Sequence, residues 1–573
     1  MRTKLIAFLL LIFIIAAFCV SCGGDDDDSG DDDDDDTADT DDDTADDDAD
    51  DDADDDEIPF RVINDYLLLD APAPPPNPIT GDETPEEYNQ FPLFRFRQDT
   101  GDNPPRSVSA IFILIAGYTA GANQLTFIAE NMVELAEGDL EVWVLDRRCH
   151  LMEDVHVSNI AEEQGDPWLA FDYYYNNAEV DGKTFNGYIS GNDPSIAMTS
   201  EWGLDLQLAT YRRIFELIPE DKRQTNVFFG GHSRGVYFVQ AYTACEFDDG
   251  HMGKDDVAGL VFLDGGARYN SEYTEPEYLR DLQKLRDGRL SRTTTFSFLT
   301  PGIYTFLEVF SMAAVEGLGD PGDPTLGPDG VFPDYGPFNI LMPFMTRFHD
   351  VILTNEAVLG LVADDEFGLM ENFSGHMGTM TGGEICHDFL GSFPCEDGAT
   401  YSWISYDEMD PPELMNAQQL ARNIFEGPSN NADPYYPARM DYDFYVADLL
   451  ETEGAWRENY FSFFTSRMDA PVYAMGTELI SDEGVMEAYR DQLPPVRGQD
   501  LPRTEYGFEI QYNESWSHID GLQADAQYNT LFPRLLDWIQ GFSDGQVQVP
   551  AFGEPWTQNY DPREIAKSST TGK

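Results

Sequence analysis

Gly231-His232-Ser233-Arg234-Gly235 is the stretch of this chain best suited to covalent chemistry. It reads G-x-S-x-G. An apolar segment with strand character, Asn226-Val227-Phe228-Phe229-Gly230, precedes it. Val236-Tyr237-Phe238-Val239-Gln240-Ala241-Tyr242 follows and continues as a helix. Strand, sharp turn and helix predict a nucleophile elbow, which raises the Ser233 Oγ at the carboxyl edge of a sheet. Glycines on both sides let so tight and strained a turn close.

A serine needs a base within hydrogen-bond reach, and the base needs an acid that orients it. Of eight histidines, His518 is placed for the first task. It stands in Ser517-His518-Ile519-Asp520-Gly521, a loop before the last helix, and it follows Ser233 in the chain. The acid is expected past the strand that ends at Gly476. Glu478, the first carboxylate there, is preferred, with Asp482 and Glu483 further on. Asp264, at the end of the strand after the elbow, is another position that can supply it. A tetrahedral oxyanion needs two pre-oriented backbone N–H groups. Arg234, the residue after the nucleophile, offers one. Tyr118, in the loop Ala116-Gly117-Tyr118-Thr119-Ala120-Gly121, is expected to offer the other. The side chains of His232 and Arg234 are read as supports of the turn, and His376 and His387 as structural.

The elements that position these residues alternate. Phe94-Arg95-Phe96-Arg97 reads as an early strand, and Ala110–Ile115 is a continuous apolar run of the kind buried parallel strands show. Thr126–Ala136 reads as a helix, Leu140–Leu145 as a strand, Leu204–Leu217 as a helix and Val257–Leu263 as a strand after the elbow. The pattern breaks after Gly266. Apolar, aromatic- and Met-rich helices follow, such as Phe296–Ala314 and Phe338–Val362, between Gly/Pro loops. Alternation returns at Ala470–Gly476, and Leu531–Phe542 is a final helix. Strands separated by helices imply a mostly parallel sheet with both faces covered. The expectation is therefore an α/β protein: core in 58–266 and 467–573, and a large helical cap inserted as 267–466. The cap's aromatic and Met stretches read first as its own core and second as the lining of an acyl pocket.

The chain resembles the α/β-hydrolase superfamily, and in patches over about 90–266 and 467–545 it is similar to the acid lipases. Gly231–Gly235 matches their elbow. Ile115-Ala116-Gly117-Tyr118 stands where they carry a His-Gly turn, with Ala116 in place of the histidine. Val142–Arg148 resembles their strand ending in an Arg-Gly turn, with Cys149 in place of the glycine. Gly476–Asp482 resembles the segment that holds their acid, with Glu478 for Asp, and Ser517–Asp520 matches their histidine segment. The resemblance implies the α/β-hydrolase fold and a triad of Ser233, Glu478 and His518.

Arg2 and Lys4 precede an apolar run from Leu5 to Val20, a charged segment and a hydrophobic segment typical of a signal peptide. Small residues before Cys22 resemble the lipobox of bacterial lipoproteins, so residues 1–22 are expected to be a signal peptide with Cys22 lipidated. Residues 25–56 contain 23 Asp among Ser, Gly, Thr and Ala. Such a segment has nothing to bury and repels itself, so 23–57 is expected to be a disordered tether. No loop spacing there builds a calcium site. Residues 58–573 still carry 31 basic against 84 acidic residues, net −53, which argues against nucleic acid and anionic lipid as ligands. Of the remaining cysteines, Cys386 and Cys395 form the first expected disulfide and Cys149–Cys245 the second. With no CxxC pair, zinc is not expected, and neither a metal nor an organic cofactor is implied.

Two functions from different classes fit. The first is an exported, lipid-anchored serine hydrolase of the bacterial cell envelope, with outer-membrane or surface placement preferred. It would cleave carboxylic esters of small molecules or lipids; amidase, peptidase, thioesterase and acyl-transfer chemistries share the same triad. The second is a non-catalytic binding protein of the cell surface on the same scaffold.

Overall fold

The computed structural model describes residues 60–100, 106–266, 273–293, 301–315, 345–368, 374–388, 391–427, 429, 431–447, 467–477, 482–550 and 552. The expected signal segment, Cys22 and the Asp-rich tether lie outside the described residues, as does Glu478. Among the described residues no helix is long and apolar enough to cross a membrane.

Eight strands make the central sheet: β1 Val62–Asp70, β2 Gln90–Gln98, β3 Ala110–Ile115, β4 Leu140–Leu145, β5 Val227–His232, β6 Gly259–Leu263, β7 Val472–Gly476 and β8 Phe508–Tyr512. They lie in the order β1-β2-β4-β3-β5-β6-β7-β8. β2 runs antiparallel to both its neighbours. From β4 to β8 every pairing is parallel.

Period-two alternation divides β3 between two cores. Ile111, Ile113 and Ile115 join the cluster that holds Leu204, Leu208, Tyr211 and Phe215 of α2 (Leu204–Glu216) and Val236 and Val239 of α3 (Arg234–Ala244). Ala110, Phe112 and Leu114 join the cluster that holds Ile128, Met132 and Val133 of α1 (Thr126–Leu135) and Leu531, Leu535 and Ile539 of α4 (Leu531–Phe542). Each helix presents its apolar stripe at spacings of three and four to one face of the sheet. In β2, Phe94 and Phe96 enter the second cluster. Arg95 and Arg97 are buried too, and pair with Glu141 at 2.7 Å and Asp65 at 2.5 Å.

Between β6 and β7 the chain leaves the sheet. The described parts include the helices Pro301–Ala314, Asn355–Ala363, Ala417–Phe425 and Ala438–Ala447. The insertion is not helical throughout. A three-stranded sheet (352–353, 400–405, 378–381) and a hairpin (385–388 with 391–394) accompany the helices. Its apolar cluster also takes Val157, Ala161, Ala170 and Phe171, from two helices that precede the elbow.

Cys386 and Cys395 are joined, S–S 2.02 Å, and close the hairpin. The second expected bond does not form: Cys149 and Cys245 are free and buried. They sit in different apolar clusters, Cys149 with Met152 and Trp202, Cys245 directly after Ala244 in the cluster that holds Val236 and Val239.

Candidate active site

Ser233 sits between β5 and α3 with φ 54° and ψ −121°, a conformation that L-residues rarely adopt. The turn is closed by contacts that leave no room for side chains. A Cβ on Gly231 would lie 2.3 Å from the Gly235 carbonyl carbon, and one on Gly235 would lie 2.3 Å from the Ile115 oxygen. Thr119 (φ 50°) and Asp264 (φ 41°) are also non-glycine residues at positive φ. Ser233 and Asp264 thus place two strained backbones at neighbouring strand ends, with Thr119 in the loop after β3, and such strain persists only where packing over-determines it.

His518 is buried, and its Nδ1 lies 2.6 Å from Asp264 Oδ2. The Asp264 carboxylate accepts two further hydrogen bonds, from Thr477 N and Thr477 Oγ1, both at 2.9 Å. A fully buried carboxylate with three donors has one orientation. The first-choice acid, Glu478, lies outside the described residues. The alternative, Asp264, holds the imidazole, while the end of β7 contributes Thr477. Asp482 is elsewhere engaged: it caps the helix Glu483–Arg490 by accepting from Val485 N at 2.9 Å. Glu483 is the first residue of that helix.

His232 ties base to elbow. Its ring lies 4.3 Å from the His518 ring, and its Nε2–H donates to the His518 carbonyl at 2.9 Å. Burial first, and the neighbouring His518 second, hold its pKa well below the usual value, so the ring is neutral. The support read from sequence is thus a hydrogen bond to the base's own backbone.

The loop 116–121 lies against the nucleophile: a Cβ on Gly117 would be 3.1 Å from Ser233 Cβ. Its other side is held by Arg147, at the end of β4. Arg147 Nη2 donates to the Ala116 and Gly117 carbonyls, and Nη1 to the Ala120 carbonyl and to Asp433, all at 2.8–2.9 Å. The insertion pairs directly with the loop. Gly121 N donates to the Asn431 oxygen at 2.8 Å and Asp433 N to the Thr119 oxygen at 2.7 Å. Tyr304, in the helix 301–314, donates to Thr119 Oγ1 at 3.1 Å. Tyr118 and Arg234 are neighbours, with the Arg234 guanidinium 5.6 Å above the Tyr118 ring and 3.2 Å from Asp441.

Of the two cap histidines, His387 only bonds Ser392 Oγ within the hairpin, at 2.8 Å. His376 reaches the site. Its Nδ1 lies 2.6 Å from Asp520 Oδ2, which also accepts from Ser517 N at 2.6 Å, so the insertion holds the loop that carries His518. Sequence reasoning missed Arg147, Asp433 and His376 as site supports. Arg147 alone had a signal, its place at the end of an apolar strand.

No family model and no curated protein matches this chain. Similar chain paths occur among solved structures. A Sulfolobus solfataricus protein assigned as a lipase is 13% identical, over 84% of this chain and 94% of that one, with a TM-score of 0.42. The peroxisomal α/β-hydrolase of Saccharomyces cerevisiae is 9% identical, over 90% and 97%, with a TM-score of 0.35. A laboratory-evolved variant of the potato epoxide hydrolase is 13% identical, over 84% and 100%, with a TM-score of 0.34. In its mostly parallel eight-stranded sheet, its helices on both faces and the elbow at the end of β5, the chain has the α/β-hydrolase fold and resembles that superfamily.

Proposed function

We propose that this protein is a serine hydrolase that cleaves carboxylic esters, with Ser233 as nucleophile, His518 as base and Asp264 as the orienting acid. The observation that carries this reading is the His518–Asp264 contact of 2.6 Å beside a serine held at φ 54°. With Nδ1–H given to Asp264, the imidazole has its Nε2 lone pair for the serine proton. Ser233 Oγ attacks the acyl carbon as His518 takes its proton. The oxyanion that forms is met by the N–H groups of Tyr118 and Arg234. The tetrahedral intermediate collapses to an acyl-serine, and the alkoxide leaves with the proton from His518. Water then attacks the acyl carbon as His518 takes its proton, and His518 returns that proton to Ser233 Oγ as the acyl–serine bond breaks and the carboxylic acid departs. No step calls on a metal or an organic cofactor.

Export and lipid anchoring through Cys22 belong to the same proposal, supported by the signal-like N-terminus and the Asp-rich spacer after it. The tether would hold the hydrolase off an envelope membrane. A Cys22→Ala variant that still fractionates with membranes would remove this part.

The experiment is hydrolysis of a short-to-long series of p-nitrophenyl esters by the full chain and by Ser233→Ala. Turnover is expected from the parent and lost in the variant. A folded parent that neither turns over any ester nor reacts with a fluorophosphonate would leave the binding-protein reading.

A further inference from the structure

Behind the loop 116–121, on the side of its carbonyls, lies a second group of ionisable side chains. Asp146 and His150 come from the end of β4 and the 3-10 turn after it; Asp433 comes from the insertion. All three are buried, and one ligand atom from each lies within 4.8 Å of the others. His150 Nδ1 is 3.9 Å from Asp146 Oδ2 and 3.7 Å from Glu153 Oε1. These separations are near the spacing of about 3.4 Å between ligands placed tetrahedrally at zinc–oxygen and zinc–nitrogen distances.

Both oxygens of Asp146 and one of Asp433 already accept hydrogen bonds. Asp433 Oδ2 accepts from Arg147 Nη1 at 2.9 Å, Asp146 Oδ2 from Ser429 Oγ at 2.7 Å and Asp146 Oδ1 from Arg147 N at 2.8 Å. Hydrogen bonds of this kind orient metal-binding carboxylates. Asp433 Oδ1 is different: it is buried and, among the described residues, has no hydrogen-bond partner. A buried carboxylate oxygen left in this way calls for a ligand.

We propose that Asp146, His150 and Asp433 bind one divalent transition-metal cation of the zinc type, with Glu153 beside them as a further oxygen donor. One imidazole nitrogen among carboxylate oxygens is a borderline donor set that suits Zn2+. Calcium would take six to eight oxygens and no imidazole. The site contains no cysteine ligand: Cys149 is buried among Met152 and Trp202 and is not one of the three. The cation touches no reacting atom. It joins the insertion, through Asp433, to the core strand end that holds the oxyanion loop.

The test uses the untagged full chain, purified without chelator. Metal analysis is expected to find about one equivalent of Zn2+. Removal with a chelator should lower the melting temperature, and one equivalent of Zn2+, but not Mg2+ or Ca2+, should restore it. The Asp-rich segment can hold cations loosely, so the decisive comparison is with Asp433→Asn and His150→Gln. Each should lose at least about 100-fold in Zn2+ affinity. Folded variants that bind Zn2+ as the parent does would overturn the site. If neither variant folds, Co2+ added to the stripped parent decides: a visible ligand-field spectrum supports the site, and its absence overturns it. A parent free of zinc whose melting ignores both chelator and Zn2+ also overturns it, and leaves an ion cluster closed by a protonated His150. Ser233 takes no part in any of these readouts.

Discussion

Asp433 of the insertion and Arg147 of the core form an ion pair of 2.9 Å in which both side chains are buried. The same guanidinium donates to three carbonyls of the loop 116–121. The insertion is therefore not a detachable cover. One of its residues shares a cation with the loop assigned to the oxyanion, so a shift of 431–433 is felt where charge develops.

Arg147→Lys tests this. Lysine keeps the charge and loses the planar fork that reaches several acceptors at once. We expect kcat to fall about 10- to 100-fold with little change in KM, because misplacing catalytic donors by about an ångström costs that much. A variant with kcat intact would show that the loop holds its shape without the fork.

Asp264→Asn should lower kcat by about 10^4-fold, the scale on which an orienting carboxylate fixes the tautomer of its histidine. Thr477 N and Oγ1 would still bond the side chain, so the fold should survive. Glu478→Gln should leave kcat close to the parent value. The reverse pattern, Asp264→Asn active and Glu478→Gln dead, would return the acid to the end of β7.

The difference between these two acids shows what the sequence carried. Elbow, base and sheet were legible because each is local. A glycine-flanked serine lies between an apolar strand and a helix, and Ala110–Ile115 has no polar residue to expose. The acid is a matter of geometry, since β6 and β7 are adjacent and both end beside His518. Sequence order does not say which strand end points at the ring. β1 and β8 were missed as edge strands, and the three-stranded sheet of the insertion pairs segments up to 48 residues apart, Leu353 with Tyr401 among them. The Arg147–Asp433 and His376–Asp520 contacts join residues more than 140 apart, which no local pattern encodes.

The cysteines give a chemical check on the fold. Alkylation of the denatured, unreduced protein should label Cys149 and Cys245, and should reach Cys386 and Cys395 only after reduction. Burial pushes the Cys149 thiol well above its usual pKa, so in the native state it should react slowly even at alkaline pH. A peptide linking Cys149 to Cys245 would contradict the separate clusters that hold them.

His376 makes stability depend on pH. Burial opposes its charge, but the hydrogen bond to Asp520 and the charges of Asp520, Asp365 and Glu413 outweigh burial and raise its pKa to about 9. In the unfolded chain it titrates near 6.5. The folded state therefore binds this proton more tightly. The stabilisation is fully present below about pH 6.5, declines as pH rises between the two values, and is gone above about pH 9. His376→Gln should thus be less stable than the parent at pH 6, by about 1–2 kcal/mol after allowance for a side chain 27% exposed. The two should converge at pH 9.5 in urea melts. Because Asp520 Oδ2 also accepts from Ser517 N, beside His518, the variant should lose activity at pH 6 in a way that ester concentration does not restore. A stability difference constant from pH 6 to 9.5 would mean that His376 contributes packing and not charge.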